Sequence, residues 1–322
     1  MIVVTGATGN VGREVVAALA ERGLPTRVVV RSRDAGPFPS GVEVVQGDLD
    51  LPESLTPALR GAEAAFLLGG WSDMPGLLAR VADAEVGHVA LLTSRCVVGG
   101  RPDNAITRMW LDSEAAVRES GVPWTFLHPS GYHSNALRWL AQLGAGDVVR
   151  QPWPAVPVAT IDPADIAAAA AAVLSDPAAH AGRAHELSGP EPLTPGDQIE
   201  ILARVLGRGL RYEPVSDEAA KAEMAGTTPS PSSTRSFAST PTASSTTPVS
   251  WARCMSSRGA RRAPSSAGPE TTQAPSPQIR SPLRMCIGAW CPRLSGCTVI
   301  RRRGTNSWTS SRPPTGGSSW PP

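Results

Sequence analysis

Cysteine is scarce in this sequence of 322 residues, and Cys96 is the only cysteine before residue 250. The other four include Cys286, Cys291 and Cys297, which follow one another at intervals of five and six residues. Zinc sites use short paired spacings of cysteine and histidine, and these intervals do not match them. We therefore expect neither a disulfide framework nor a metal site.

Long apolar runs are also missing. No stretch reaches the roughly 18 uninterrupted apolar residues that a membrane-spanning helix requires. The chain opens with a strand-like run at residues 2–5, without the basic segment and apolar core of a secretory signal. We expect a cytoplasmic protein without a membrane segment.

Lysine is nearly absent, since Lys221 is the single lysine, and Tyr132 and Tyr212 are the only tyrosines. No Tyr-x-x-x-Lys spacing can form from these three residues. On a helix that spacing places a phenol beside an ammonium group, which lowers the pKa of the phenol so that it can pass a proton. Chemistry that depends on this pair is excluded.

Acidic residues almost vanish towards the end of the chain. Residues 1–225 carry 18 basic and 27 acidic side chains, whereas residues 226–322 carry 12 arginines and one acid, Glu270. This last segment holds 47 Pro, Ser and Thr residues but only eight Val, Leu, Ile and Phe residues, too few to offset the entropy of ordering it. We predict a disordered basic tail and expect no specific nucleic-acid partner. A nucleic-acid arm that attracts phosphates non-specifically is the alternative interpretation of the arginines, and we prefer a change of reading frame as the explanation.

The composition of residues 226–322 also suggests a change of reading frame. Few lysines and many Ala, Arg, Pro and Gly residues indicate a gene rich in G and C, in which a shifted frame yields Ser, Thr, Pro and Arg. With plausible third bases, a shifted reading of residues 232–243 gives the apolar periodicity of an amphipathic helix. The tail is thus either a genuine segment or a frameshift product that begins near residues 226–231.

Short β-branched runs alternate with helical patterns over the first 130 residues. This alternation predicts a doubly wound parallel sheet with helices on both faces, a Rossmann-like α/β fold over residues 1–144. The predicted strands are residues 2–5, 27–31, 42–46, 65–68, 88–93 and 124–127. The predicted helices are residues 11–22, 53–59, 76–84 and 104–119.

The regular alternation of strand and helix patterns ends after Pro129. The change predicts a small C-terminal α/β lobe over residues 145–225. Asp162 and Pro163 have the chemistry of an N-cap and a first helical residue before the alanine-rich run 164–174. A strand near residues 185–188 and a helix near residues 195–206 follow. Gly207 is the expected end of that helix.

Three glycines join the first strand to the first helix, at Gly6, Gly9 and Gly12. Glycine at the first two positions lets the backbone approach a diphosphate, and Gly12 lets the helix pack closely on the sheet. The N–H groups and the dipole of the helix then favour an anion. The predicted coenzyme contacts of this turn are Gly6, Thr8, Gly9, Asn10, Val11 and Gly12.

Arg31 and Arg33 follow the second predicted strand. Dinucleotide folds that prefer NAD usually present an acid there to the ribose hydroxyls, whereas two guanidinium groups suit a 2′-phosphate. We therefore predict NADP as the coenzyme. Asp34 keeps NAD possible, and solvated loop charges are the alternative interpretation of the arginines.

Further candidates follow other strands, because ligands of open α/β sheets bind beyond the carboxyl ends of the strands. For Asp48 a turn or helix cap is an equally good interpretation. The predicted coenzyme contacts in this group are Asp48, Leu49, Leu68, Gly69, Thr93, Ser94 and Pro129.

At these motifs the chain resembles the NmrA-like atypical short-chain dehydrogenase/reductase proteins, which bind NAD(P) and include quinone and azo-dye reductases as well as non-catalytic redox sensors. The resemblance rests on residues 5–12, 47–49, 114–135, 161–167 and 187–190. It implies that residues 129–135 line the nicotinamide and substrate end, with the lobe closing over it. It also implies that Ile106 and Trp110 occupy the positions of the Tyr-Lys pair.

Hydride transfer itself belongs to the coenzyme and requires a positioned acceptor. A quinone-like or other small flat acceptor can take its proton from water, and Ser94, Tyr132 and His128 are candidate donors, with His133 beside them. Two hypotheses stay open. The first is an NAD(P)H-dependent oxidoreductase acting on a small-molecule acceptor, and the second is an NAD(P)-binding sensor without turnover.

Overall fold

The computed structural model describes residues 1–32, 35–220 and 298–300. Its strands are β1 (Ile2–Val4), β2 (Thr26–Val30), β3 (Glu43–Gln46), β4 (Ala64–Leu68), β5 (Val89–Leu92), β6 (Trp124–Pro129), β7 (Val148–Pro152), β8 (Arg183–Ser188), β9 (Arg211–Val215) and β10 (Thr298–Ile300). Its α-helices are α1 (Asn10–Glu21), α2 (Thr56–Leu59), α3 (Met74–Asp83), α4 (Ala105–Glu119), α5 (Leu140–Ala145), α6 (Pro163–Ser175), α7 (Pro177–His180) and α8 (Pro195–Leu206). Short 3-10 helices cover Pro52–Leu55, Arg95–Val97 and His133–Trp139.

Seven parallel strands form the main sheet in the order β3-β2-β1-β4-β5-β6-β8. β1 lies at its centre, where Val4 pairs with Val28 on one side and with Phe66 on the other. The first six strands have the order of a doubly wound dinucleotide-binding fold, so the predicted fold class is confirmed. The strands and helices predicted within the first 130 residues begin and end within two residues of the observed elements, except that the helix predicted at 53–59 is a 3-10 helix at Pro52–Leu55 followed by α2 at Thr56–Leu59.

Two apolar cores cover the faces of this sheet, because neighbouring residues of a strand point to opposite sides. Val4 and Phe66 belong to the core under α1 and α6, whereas Val3 and Phe126 belong to the core under α3 and α4. Strands buried on both faces are expected to be apolar throughout. α6 packs closely on α1, and Ala167, Ala170 and Ala171 lie in that core.

Helix ends follow the predicted chemistry in the second half of the chain. The carboxylate of Asp162 accepts a hydrogen bond of 2.8 Å from the N–H of Ala164, with Pro163 as the first residue of α6. Thr194 and Asp197 form a reciprocal capping box at the start of α8. Gly207 ends α8 with a φ of 62°, a left-handed conformation that favours glycine.

A small lobe stands apart from the main sheet and is built on the parallel pair β7 and β9. Its apolar core contains Trp139, Leu143, Val149, Ile199 and Leu202. Two elements of the segment 145–225 lie elsewhere, because α6 packs on α1 and β8 pairs with β6 in the main sheet. The domain boundary at residues 144 and 145 stays a prediction.

Three chain segments meet where the lobe joins the sheet, and we call residues 130–133, 158–161 and 189–193 the neck. The carbonyl of Gly131 accepts a hydrogen bond from Ile161 N–H (2.8 Å), and the carbonyl of Ile161 accepts one from His133 N–H (2.9 Å). Val158 forms an antiparallel bridge with Leu193. The neck therefore fixes the lobe to the carboxyl end of β6.

Three residues of the predicted tail are described, and β10 pairs antiparallel with β8 at the edge of the sheet. The remainder of the predicted tail, and with it the frameshift hypothesis, lies outside the described residues. Within the described part of the chain, no helix has both the length and the apolar character needed to span a membrane.

Candidate functional site

The glycine turn between β1 and α1 has no room for a side chain at positions 6 and 12. A Cβ on Gly12 would lie 2.1 Å from the carbonyl oxygen of Gly6, and Gly6 itself has a φ of 63°. The carbonyl of Gly6 accepts a hydrogen bond of 2.9 Å from Gly9 N–H, which closes the turn. Glycine at positions 6 and 12 is thus required by the backbone.

The start of α1 presents a cradle for an anion. Gly9 is the N-cap and has extended backbone angles, and no side chain caps the helix there. The residues that follow, Asn10, Val11 and Gly12, carry no charge, so the first N–H groups and the positive end of the helix dipole are left for a ligand. Thr8 is exposed at the same turn. This arrangement fits a diphosphate.

Main-chain hydrogen bonds bring the predicted strand ends to one edge of the sheet. The N–H of Thr5 donates to Phe66, the N–H of Gly69 donates to Leu92 and the N–H of Thr93 donates to Leu127, at 3.0, 3.1 and 3.0 Å. The ends of β1, β4, β5 and β6 are therefore adjacent. Predicted contacts after these strands, from Gly6 to Pro129, lie along a continuous edge.

Arg31 lies at the same edge, directly after β2, and is exposed. Its carbonyl accepts a hydrogen bond of 3.0 Å from the side-chain amide of Gln46 at the end of β3. Arg33 and Asp34 lie outside the described residues. Arg31 is therefore placed beyond the strand where a 2′-phosphate is expected, and its contact with that group stays a prediction.

Asp48 forms a turn. Its Oδ1 accepts a hydrogen bond of 3.1 Å from Asp50 N–H, and its own N–H donates to Ser54 Oγ at 2.8 Å. Leu49 is buried beside it. The turn interpretation of Asp48 holds in this structure, and contact of Asp48 and Leu49 with the coenzyme stays a prediction.

The loop after β4 packs against α4. The N–H of Gly70 donates a hydrogen bond of 2.9 Å to Ser113 Oγ, and the ring of Trp110 lies over Gly69. Ile106 stands one helical turn before Trp110 on α4. The helix positions implied for a Tyr-Lys pair are therefore an isoleucine and an indole, and the indole lies beside the end of β4.

A buried carboxylate, which the sequence analysis did not single out, lies behind this edge. Glu114 on α4 is 2% exposed, and its Oε1 lies 2.7 Å from His128 Nε2. The hydroxyl of Thr93 donates to the same oxygen at 2.9 Å, and Arg118 donates to Oε2 at 2.9 Å. Burial opposes ionisation of Glu114, but the hydrogen bond and charge of His128, with Thr93 and Arg118, outweigh it and lower its pKa.

The candidate proton donors have different surroundings. His128 is buried and held by Glu114, whereas Ser94 is half-buried and its Oγ accepts a hydrogen bond of 3.3 Å from Cys96 N–H. Burial, with a smaller contribution from Cys96, raises the pKa of Tyr132, so its phenol remains protonated. Ser94 and Tyr132 can thus donate hydrogen bonds, and none of these three described candidates is activated for proton transfer.

No group of three or more His, Cys, Asp and Glu side chains among the described residues could hold a metal ion. Three of the described histidines, His88, His180 and His185, contact other side chains of the protein instead. His180 Nδ1 lies 3.1 Å from His185 Nε2, and His88 Nε2 lies 3.0 Å from Thr125 Oγ1. These contacts are at the amino end of β6, opposite the glycine turn.

Comparison with known proteins decides the family. A family model described as NAD(P)H-binding matches residues 6–177, which run from the glycine turn through α6. The chain belongs to the NmrA-like, NAD(P)H-binding atypical short-chain dehydrogenases/reductases. The predicted family and its coenzyme class, NAD(P)H, are thereby confirmed.

Members of this family with known activities align over most of their length. The (4-alkanoyl-5-oxo-2,5-dihydrofuran-3-yl)methyl phosphate reductase of Streptomyces griseus is 42% identical over 235 residues, which cover 72% of this chain and 83% of the relative. The NAD(P)H azoreductase of Xenophilus azovorans is 33% identical over 237 residues, covering 70% and 81%. The structure of Escherichia coli quinone oxidoreductase QOR2 with NADPH superposes with a TM-score of 0.61 at 25% identity, covering 70% of this chain and 82% of that one.

Proposed function

We propose that this protein is an NADPH-preferring reductase that transfers a hydride to a small conjugated acceptor such as a quinone. The observation that carries the proposal is the edge formed by the glycine turn and the ends of β4, β5 and β6. This edge has a cradle for a diphosphate at one end and an aromatic, lysine-free wall at Trp110.

The proposed coenzyme site is inferred from the shape of the glycine turn between β1 and α1. The space that a Cβ of Gly12 would need is filled by the Gly6 carbonyl, so only a glycine turn lets the diphosphate reach the N–H groups of α1. Arg31 would pair with the 2′-phosphate, with Asp48 and Leu49 near the adenine. The loops at Leu68, Gly69, Thr93, Ser94 and Pro129 would flank the nicotinamide.

The acceptor class follows from the missing Tyr-Lys pair. An isolated carbonyl develops a localised alkoxide during reduction and needs a proton donor, whereas a conjugated acceptor spreads the charge over its π-system and can be protonated by water. The named substrates of the relatives share this property, since quinones, azo compounds and unsaturated lactones are all conjugated. Ile106 and Trp110 are compatible with such an acceptor and not with a simple ketone.

When bound, NADPH supplies the hydride. The residues of this chain bind the coenzyme and orient the acceptor: the turn at Gly6 to Gly12 holds the diphosphate, and Trp110 gives the acceptor a flat apolar surface. Ser94 and Tyr132 orient a carbonyl oxygen by donating hydrogen bonds, a role that the protonated phenol of Tyr132 supports. The lobe, joined by the neck, would cover the acceptor.

The proposal is tested with the purified full chain. Nicotinamide fluorescence on titration with NADPH and NADH measures binding, and NADPH oxidation is followed with a quinone, an azo dye, an alkanoyl butenolide phosphate and a simple aliphatic ketone. We expect tighter binding of NADPH and steady oxidation with at least one conjugated acceptor but not with the ketone. Tight binding without oxidation by any acceptor would support the sensor hypothesis, and no binding of either coenzyme would reject both hypotheses.

A further inference from the structure

The Glu114 carboxylate joins two strands and a helix directly behind the proposed coenzyme edge. Its Oε1 is shared by Thr93 at the end of β5 and His128 on β6, and Arg118 holds its Oε2. We infer that Glu114 is a positioning residue that sets the separation of the loops at Ser94 and Pro129, and thereby the binding of the nicotinamide half of the coenzyme. This inference rests on the coenzyme site proposed above.

The position of the network makes this role specific. Thr93 immediately precedes Ser94, and His128 immediately precedes Pro129, so each of the two residues adjoins a proposed coenzyme contact. The side chain of Thr93 is buried with its hydroxyl on Glu114, so the coenzyme contact proposed for Thr93 is one of its main chain. Both residues bond to the same atom, Glu114 Oε1, at 2.9 Å from Thr93 Oγ1 and 2.7 Å from His128 Nε2. A movement of the carboxylate would therefore displace both loops together.

Packing alone does not account for a glutamate at this position. Glu114 is 2% exposed, and its neighbours on α4, Ala116 and Val117, belong to an apolar core. Burying a carboxylate is unfavourable unless charged and hydrogen-bonding partners compensate for lost water, and an apolar side chain of similar size would avoid that cost. A buried charged group can instead fix a unique arrangement of its partners, and here those partners are the two strand ends.

Helix α4 places this network on the same face as Trp110, the residue proposed to contact the acceptor. Trp110, Glu114 and Arg118 succeed one another at intervals of four residues, so they lie on the same face of α4. Trp110 contacts the loop after β4, and Glu114 reaches the ends of β5 and β6. One helix face therefore contacts three of the strand ends that form the proposed edge.

A matched buried pair lies at the opposite end of the same two strands. His88 Nε2, just before β5, is 3.0 Å from Thr125 Oγ1 on β6, and both residues are buried. This pair also ties β5 to β6, but it is remote from the glycine turn and the coenzyme edge. The Thr125 hydroxyl also donates a hydrogen bond of 2.8 Å to the His180 carbonyl, so Thr125→Val is a demanding control: it removes two hydrogen bonds at this end of the strands without a change at the site.

The experiment compares Thr93→Val, Thr93→Ser, Glu114→Gln and Thr125→Val in the full chain. NADPH affinity is measured by nicotinamide fluorescence, KM and kcat with a quinone by steady-state kinetics, and stability by thermal unfolding. We expect Thr93→Val and Glu114→Gln to weaken NADPH binding about tenfold, the equivalent of one misplaced or lost hydrogen bond of ordinary strength. Thr93→Ser keeps the hydroxyl and should bind within about twofold of the parent.

The control separates positioning from general support of the fold. Thr125→Val should lower the unfolding temperature at least as much as Thr93→Val while leaving the NADPH affinity within about twofold. If Thr93→Val and Glu114→Gln change only the unfolding temperature, the inference is overturned. If Glu114→Gln does not fold, the comparison of Thr93→Val with Thr93→Ser still tests the inference, and equal NADPH affinities of these two variants would overturn it. If the parent protein binds no NADPH, the proposed function fails instead.

Discussion

The indole of Trp110 lies directly on the backbone of Gly69. Its Cε3 and Cζ3 are each 3.2 Å from the point that a Cβ of Gly69 would occupy, so the ring fills the space that a side chain at position 69 would need. The indole therefore fills the space between α4 and the end of β4, at the position that the family resemblance implies for the lysine of a Tyr-Lys pair. Acceptor binding should depend on this ring.

Replacement of Trp110 by alanine removes the proposed flat surface. We expect the KM for a two-ring quinone to rise about tenfold or more, because stacking of a ring on an aromatic side chain and its apolar burial contribute about 1–2 kcal/mol. NADPH affinity should change much less. Steady-state NADPH oxidation measures the effect, with Trp110→Phe as the matched variant that retains a ring. An unchanged KM in Trp110→Ala would remove this residue from the acceptor site.

Replacement of Gly12 by alanine tests the diphosphate cradle. The new Cβ would lie 2.1 Å from the Gly6 carbonyl oxygen, so α1 must move, and we expect a loss of about 2–4 kcal/mol of stability together with weaker NADPH binding. Gly144→Ala in α5 is the control, since nothing lies within 4 Å of its added methyl group. There the helix should gain up to about 1 kcal/mol. Thermal unfolding and NADPH titration report both results, and normal binding by Gly12→Ala would contradict the proposed cradle.

Replacement of Arg31 by alanine tests coenzyme preference. Loss of a guanidinium that pairs with the 2′-phosphate should weaken NADPH binding about tenfold or more and leave NADH binding nearly unchanged. The ratio of the two dissociation constants, from parallel titrations, is the measurement. Arg60→Ala, an exposed arginine after α2, is the control for a change in net charge. Equal ratios in the two variants would mean that Arg31 does not contact the 2′-phosphate.

His88 predicts how stability changes with pH. Burial, aided by the charge of His180, lowers the pKa of His88 to about 4, whereas the unfolded chain titrates near 6.5. Between these two pH values the unfolded chain binds a proton at His88 that the folded protein does not. The contribution of neutral His88 to the stability of the folded state is therefore full above pH 6.5 and is lost as the pH falls towards 4. We expect a loss of about 2 kcal/mol between pH 7 and pH 5. Urea unfolding at both pH values measures it, and His88→Gln should show a smaller loss; an equal loss would assign the effect to other groups.

The sequence predicts well those features that depend on neighbouring residues. The glycine turn, the N-cap at Asp162 and the helix end at Gly207 each follow from local chemistry, and each lies where it was predicted. The order of the first six strands follows from the alternation of strands and helices, because parallel crossovers leave few topologies open.

Features that depend on distant residues were not predictable in this way. Glu114 has the sequence context of a solvent-facing helix residue, and only the partners Thr93 and His128, from two separate strands, show why it is buried. β8 was predicted as part of the lobe, because more than 50 residues separate it from its partner β6 and the pairing leaves no local signal in the sequence. For Asp48 the sequence allowed a turn or a ligand contact, and only the bond to Asp50 reveals the turn.

The neck makes the lobe a replaceable module. Gly131, Ile161 and Leu193 bond to one another or to their neighbours in adjoining segments through main-chain groups, and the neck requires glycine at position 189, where a Cβ would lie 1.9 Å from the Thr160 carbonyl oxygen. Residues 134–157 and 194–215 could therefore be exchanged for the corresponding segments of another family member while the register of β6 and β8 is preserved. Such chimeras would transfer the choice of acceptor and retain the coenzyme preference of the recipient.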